Sequence, residues 1–279
     1  MTEPRLIDTV HLGTRGAIGA WVVDDSVLVD PGPAVALPGL LEGLGDWRPD
    51  AIAVTHIHLD HAGATGALLR RWPGAEVWVH ELGAPHLADP ARLVRSARRV
   101  YGSALDTLWG APEPVPAEAI RALSGGECAG PFEVIHTPGH ATHHVSYMHP
   151  ASGTAFVGDV AGVRIPPARA VLAPAVPPDF DPPRWLESLA RIEAWRPACL
   201  ALTHFGRHAD VTCQLDSVRR ELADLLAAES VRDHVAAVLD RDGVPPELER
   251  VYEQAAQPDT FAAGVRRYLE TQPGHLSED

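Results

Sequence analysis

The 279-residue sequence contains no lysine, and its 23 basic side chains, all arginine, face 37 carboxylates. A net charge of -14 and a pI near 5.4 argue against attraction to phosphate backbones, so no nucleic-acid partner is expected. No apolar run reaches the roughly 18 residues that a membrane span needs, and Met1-Thr2-Glu3-Pro4-Arg5 lacks the basic-then-apolar order of a signal peptide. The expectation is a cytoplasmic protein with no membrane segment. Cysteine is scarce. Cys128, Cys199 and Cys213 are odd in number, lack the close pairing of a thiolate zinc site, and read as free thiols of a reducing compartment. No repeat of solenoid length is present, and no linker rich in Gly and Ser sets off the tail. The length suits one large α/β domain, or such a domain with an appendage.

Histidine, by contrast, is plentiful at 15 residues, and it is densest in Thr55-His56-Ile57-His58-Leu59-Asp60-His61. The preceding Ala51-Ile52-Ala53-Val54 reads as a buried strand. These side chains therefore stand at a strand end, where a rigid element sets position and the following loop turns groups towards a common point. His56 and His58 are two residues apart, so in extended chain they project to one side and can chelate one cation. Asp60 and His61 then offer a second set. Imidazole suits zinc, iron and similar metals, and a carboxylate beside it binds a harder ion or orients a metal-bound water.

Strands are expected over residues 9–12, 19–23 and 26–29, the last two joined as a hairpin through Asp24-Asp25 and ended by Asp30-Pro31-Gly32-Pro33. A helix over 35–44 and a strand over 50–55 follow. Residues 62–72 read as a helix closed by Pro73-Gly74, and 75–79 as a strand with His80 exposed at its end. Residues 82–126 break the alternation and read as an insert with helical pieces around 90–100. Tyr101 and Trp109 within it either cap the site or anchor the insert to the core. A strand over 132–136 ends at Thr137-Pro138-Gly139-His140, and a hairpin of 145–148 with 154–157 ends at Gly158-Asp159. A helix over 184–195 leads to a strand over 199–203 and then His204. Every candidate ligand thus follows a strand. In the tail, apolar residues recur at helical spacing over 215–226 and 231–239, with two shorter helices at 247–256 and 260–269. Those apolar faces pack on the core, shape a wall of the cleft, or join two copies as a homodimer.

In order and separation, His56-x-His58-x-Asp60-His61, Thr137-Pro138-Gly139-His140, Gly158-Asp159 and Thr203-His204 resemble the metal motifs of the metallo-β-lactamase-fold hydrolases, over residues 6–208. The resemblance implies an α/β fold, a four-layer αββα sandwich at 1–209 with a helical extension at 210–279, and a dinuclear site on one edge between the sheets. Carried across residue by residue, it implies that His56, His58 and His140 hold a first metal. Asp60, His61 and His204 hold a second, and Asp159 bridges the two. Zinc is the first choice for both ions, with iron or manganese as alternatives.

Members that hydrolyse β-lactams usually replace His61 and put cysteine where Asp159 stands, flavo-diiron proteins usually have Glu at His58, and lactonases carry a tyrosine where this chain has Gly162. The glyoxalase II group, the hydroxyacylglutathione hydrolases, shares every metal position and has a C-terminal helical region. Thioester hydrolysis is therefore the leading expectation, with a lactone or phosphodiester as alternative small-molecule substrates. Two other classes stand beside it: a persulfide dioxygenase with one iron on His56, His140 and Asp159, and a non-catalytic binding module. Two cations about 3.5 to 4 Å apart lower the pKa of a shared water towards about 7, and the resulting hydroxide attacks an acyl carbon. Asp60 is the residue expected to be catalytic in its own right, by orienting that hydroxide and passing its proton to the leaving group.

His143, His144 and His208 are candidates to hydrogen-bond a ligand carboxylate from behind. His11, His86, His149, His234 and His275 are expected at the surface, and Tyr147 in the core. Arg164 and Arg266-Arg267-Tyr268 offer cations to an anionic substrate group, although a solvated helix end is the plainer reading of the latter.

Overall fold

Apolar residues fill consecutive positions in the central strands, so both faces of those strands must be buried, which requires layers on either side. The computed structural model describes residues 3–272 and meets that demand with two six-stranded sheets. The first runs in chain order through β1 (Arg5–Asp8), β2 (Gly19–Val23), β3 (Val27–Val29), β4 (Ala51–Ala53), β5 (Glu76–His80) and β6 (Ile120–Leu123). It is antiparallel from β1 to β3 and parallel from β3 to β6. The second comprises β7 (Cys128–Ala129), β8 (Phe132–His136), β9 (Val145–His149), β10 (Thr154–Gly158), β11 (Cys199–Leu202) and β12 (Gly206–His208), with only β10 and β11 parallel.

The helices are α1 (Leu37–Leu44), α2 (Leu59–Ala62), α3 (Thr65–Arg71), α4 (Ala84–Ala88), α5 (Ala91–Tyr101), α6 (Leu105–Leu108), α7 (Pro182–Ala194), α8 (Val211–Ala227), α9 (Val231–Arg241), α10 (Pro246–Ala255) and α11 (Pro258–Thr271). Side-chain alternation sorts the layers. Trp21, Val23, Val27 and Val29 meet Phe132, Tyr147 and Phe156 between the sheets. Val22, Leu28 and Ile52 point the other way, onto Leu40 of α1 and Leu68 of α3. On the opposite side Val157, Leu200 and Leu202 pack against Trp185 and Leu189 of α7 and Val218 of α8. The order is helix, sheet, sheet, helix. Among the described residues no helix is long and apolar enough to cross a membrane.

The tail is packed on the second helical layer. Tyr252 of α10 is buried, donates its hydroxyl to Ala170 O at 2.7 Å and accepts from Ile165 N at 3.1 Å. Burying a side chain of this size is worth about 1.5–3 kcal/mol. Gly264 lets α11 lie against the chain at Ala175, whose carbonyl oxygen stands 2.1 Å from where a Cβ would be.

Several expectations need correction. The first strand is Arg5–Asp8 rather than residues 9–12. The Asp8 carboxylate accepts from Val10 N at 3.0 Å and Gly16 N at 3.1 Å, which turns the chain and leaves Val10 and Leu12 with positive φ. Residues 62–72 are not one helix, because α2 already starts at Leu59 and ends before α3. The segment 82–126 contributes an edge strand, β6, so the parallel order continues through it.

Three histidines expected to be exposed are buried. His11 stacks on Trp109 with ring centroids 5.2 Å apart, and His80 stacks on His136 at 4.2 Å. His149 sits between Asp24 Oδ2 at 2.9 Å and Ser152 Oγ at 2.8 Å. His86 and His234 are half-buried, and His275 lies outside the described residues. Tyr147 is in the core, donating its hydroxyl to Val54 O at 3.0 Å.

Candidate metal centre

Four strand ends converge on one edge of the sandwich. His56 and His58 leave β4, and the chain turns at once into α2, which carries Asp60 and His61. His140 follows β8, Asp159 follows β10 directly, and His204 follows β11. Bonds between the sheets hold these ends together: Val145 N donates to Thr55 O at 2.8 Å and Gly19 N to Thr203 O at 2.9 Å.

The seven side chains meet as two adjoining groups. In the first, His140 Nε2 lies 3.2 Å from His56 Nε2 and 2.8 Å from His58 Nδ1, and those two atoms are 3.1 Å apart. In the second, His61 Nε2 is 3.1 Å from Asp159 Oδ1 and 3.7 Å from Asp60 Oδ2, while His204 Nε2 is 3.3 Å from Asp60 Oδ2. Asp159 spans both, since its Oδ2 is 3.4 Å from His140 Nε2.

The outer nitrogens decide which ring atoms point inward with a free lone pair. His140 Nδ1 faces Pro174 O at 2.7 Å and His204 Nδ1 faces Ala17 O at 2.8 Å, so each must donate there. His61 Nδ1 donates to Asp30 Oδ2 at 2.9 Å. Thr55 Oγ1 gives its proton to Asp30 Oδ2 at 2.8 Å and is left to accept from His56 Nδ1 at 3.1 Å.

Burial holds His56, His58 and His140 below the ordinary imidazole range, His58 at about 4, with neighbouring imidazoles adding to the effect on His56 and His58. They are neutral. For His61 and His204 burial acts the same way, but Asp159 foremost among the nearby carboxylates outweighs it and raises both. Asp60 and Asp159 are pushed down by His61 and His204 against the opposing effect of burial.

A divalent cation suits this donor set. Three neutral rings aim lone pairs at one another at van der Waals distance or less, and His61 Nε2, His204 Nε2 and Asp159 Oδ1 are buried without a hydrogen-bond partner. Buried polar atoms left unpaired are costly, and imidazole with carboxylate is the ligand chemistry of zinc, iron and manganese.

A cavity of about 440 Å³ opens beside His58 and Asp60. Its roof is α5, through Leu93, Ala97, Val100 and Tyr101, and Trp109 closes one side. Trp109 is at once cap and anchor, because it is also 4% exposed and stacked on His11. A second, smaller recess brings Gln254, Gln257, Thr260 and Phe261 of the tail against Asp60 and Asp159, so the tail supplies a wall of the site.

The residue that sequence reasoning missed is Asp30. Its Oδ1 accepts from Thr55 N at 2.8 Å, and its Oδ2 accepts from Thr55, His61 and Thr203. The available signal was its position, a carboxylate directly after the apolar run of β3, matching the placement of the ligand candidates. The histidines expected in that supporting role do other things. His144 Nδ1 pairs with Thr137 Oγ1 at 2.8 Å, His143 Nδ1 accepts from Ile57 N at 3.4 Å, and His208 Nε2 donates to Phe205 O at 3.1 Å. Arg164 is ion-paired with Asp210 at 2.9 Å, and Arg267 Nε donates to Pro178 O at 3.4 Å.

With this geometry in view, the family model described as the metallo-beta-lactamase superfamily matches residues 13–204. The chain belongs to the metallo-β-lactamase superfamily. One relative is the metallo-beta-lactamase fold-containing protein ST1585 of Sulfurisphaera tokodaii, 30% identical over 164 residues, which are 56% of this chain and 60% of that protein. A hydroxyacylglutathione hydrolase of Pseudomonas aeruginosa is 31% identical over 149 residues, 50% of this chain and 45% of the relative. The chain thus spans about half the length of the curated relatives it matches. Among solved structures of superfamily members, ST1585 superposes with a TM-score of 0.73 at 20% identity, covering 95% of this chain and 99% of the other. TTHA1623 in a di-iron-bound form superposes with a TM-score of 0.54 at 26% identity, covering 73% and 93%.

Proposed function

We propose that the chain is a hydrolase that depends on two divalent metal ions and cleaves an ester-like bond, with a thioester as the substrate bond. The observation that carries this reading is Asp159, one carboxylate set between two groups of inward-facing lone pairs. His56, His58 and His140 would hold one ion, Asp60, His61 and His204 the other, and Asp159 both. Bound ions supply positive charge for a developing oxyanion and acidify a water. The similarity to hydroxyacylglutathione hydrolases supports the thioester, and the His and Asp donors suit zinc first, with iron or manganese as alternatives.

The chain's own groups have separable tasks. Asp60 borders both the cavity and the recess, with its side chain 18% exposed, so it can take a proton from the attacking water and return it to the leaving thiolate. Pro174 O, Ala17 O and Asp30 hold the rings in the tautomers that leave their inner nitrogens free.

The test is hydrolysis of S-lactoylglutathione by protein carrying two metal ions, alongside Asp60→Asn with its metal content measured. Turnover in the wild type, falling about 10²–10⁴-fold in a metal-loaded variant, is the expected result. A fully loaded variant with normal turnover would remove Asp60 from the chemistry. A single iron per chain with oxygen uptake on a persulfide would replace hydrolysis altogether.

A further inference from the structure

The helix α5 has an apolar stripe that is only partly covered by the core. Leu93, Ala97 and Val100 recur at i, i+4 and i+7, a spacing that aligns them on one side, and all three face the cavity beside Asp60. No residue of α5 is buried. Ile57, Val176 and Pro177 form facing walls, and Leu82 is 53% exposed where it borders the same space. Such a surface in water is unfavourable unless an apolar group covers it, and about 440 Å³ falls in the range of small-molecule sites.

The charged and imidazole side chains of the lining are Asp60, Arg92, Asp179, His58, His86 and His143, and the remaining walls are mostly apolar. Arg92 is the one Arg among its lining residues, and Asp179 is already engaged by Thr142 through its backbone N at 3.2 Å and its Oγ1 at 2.9 Å. A peptide-like thiol arm with two carboxylates and an ammonium would lose solvation along the stripe of Leu93, Ala97 and Val100. A hydrocarbon chain loses nothing. At the metal-facing end the character changes, where Tyr101 and Trp109 set a hydroxyl and an indole N–H beside His58 and Asp60 that can donate to a carbonyl oxygen.

We infer that this cavity is the acyl-chain subsite, and that the enzyme selects thioesters of apolar acyl groups over small polar hydroxyacyl groups. The inference rests on the thioester reading above. In the reaction, water oxygen bonds to the acyl carbon, the carbon–sulfur bond breaks, and the sulfur leaves as thiol with a proton from the water. The acyl chain lies under α5, and the thiol arm extends to solvent.

The experiment uses the full chain loaded with two metal ions and measures kcat/KM for acetyl, butyryl, hexanoyl and octanoyl thioesters of N-acetylcysteamine. S-lactoylglutathione and S-octanoylglutathione are run in parallel. The expected result is a rise of about fourfold per methylene until the cavity is full, the factor for burying one CH2, with the same preference in both thiol series. Ala97→Phe, checked by circular dichroism and metal content, should lower the octanoyl-to-acetyl ratio at least tenfold. If that variant does not fold, Val100→Ala should change the same ratio by a smaller factor. A flat acyl series, or rates set by the thiol, would overturn the subsite while leaving thioester hydrolysis intact. Failure of every thioester would remove the thioester reading and the subsite with it.

Discussion

Asp30 Oδ2 accepts the Nδ1 proton of His61 at 2.9 Å, with the two side chains 1% and 0% exposed. The pair joins the end of β3 to α2 and sets the plane of an inward-facing ring. Because the same oxygen also accepts from Thr55 and Thr203, one carboxylate at the end of β3 orients groups that follow β4 and β11.

Asp30→Asn should therefore weaken metal binding without touching any ligand candidate. The amide cannot accept every donor now satisfied, and supporting contacts of this kind are worth about 10–100-fold in affinity or activity. Metal retained per chain after dialysis against a competing chelator reads this directly. Wild-type retention would show that Asp30 has no part in holding the site.

Metal uptake should release protons near neutral pH. Without metal, His61 and His204 bind protons above the ordinary value of 6.5, because nearby carboxylates outweigh burial. At these two residues the folded protein binds more protons than the unfolded protein in that window, and the stability they contribute is complete below about 6.5 and lost as pH rises through the higher folded values. A cation must displace those protons, so affinity should fall as pH is lowered. Titration calorimetry in two buffers of different ionisation enthalpy gives the proton count, and a count of zero at pH 7 would contradict the assignment.

A second pH effect should arise far from the site. His234 Nε2 on α9 lies 3.1 Å from Glu221 on α8, and that bond raises its pKa despite partial burial. Its contribution is complete below about 6.5 and disappears as pH rises through the raised value. The size is that of a partly exposed ion pair, about 0.2–1 kcal/mol. Urea unfolding at pH 6 and 8.5 should show this difference in the wild type, reduced in Glu221→Gln.

Gly158→Ala should damage fold and site together. Gly158 has φ 46°, and a Cβ there would stand 2.5 Å from Thr55 Oγ1 and 2.8 Å from His144 Nε2. Strain and overpacking each cost about 1–3 kcal/mol. Thr55 is the residue that links Asp30 to His56, so thermal unfolding and metal content should both decline. Normal values for both would mean that Thr55 can move without consequence.

The ligand candidates were legible because spacing and strand ends are local properties. Val27–Val29, Ala51–Ala53 and Cys199–Leu202 are apolar throughout, which marks buried strands, and polar groups immediately after them must gather at an edge. His56 to His61, His140, Asp159 and His204 all follow that rule. The error over residues 9–12 was also local in cause, since the Asp8 carboxylate captured two backbone N–H groups that a strand would have used.

Two-sided burial of the strands, helical spacing in the tail and the seven side chains that meet at the edge are all written in periodicity and chemical type along the chain. Their partners depend on how distant segments come together. Asp30 reaches Thr203 across 173 positions, His11 and His80 are buried by aromatic rings supplied from distant segments, and α5 becomes a roof because the chain returns over Asp60. Hydrogen bonds and packing between remote segments depend on where those segments lie in space, and no local pattern encodes that.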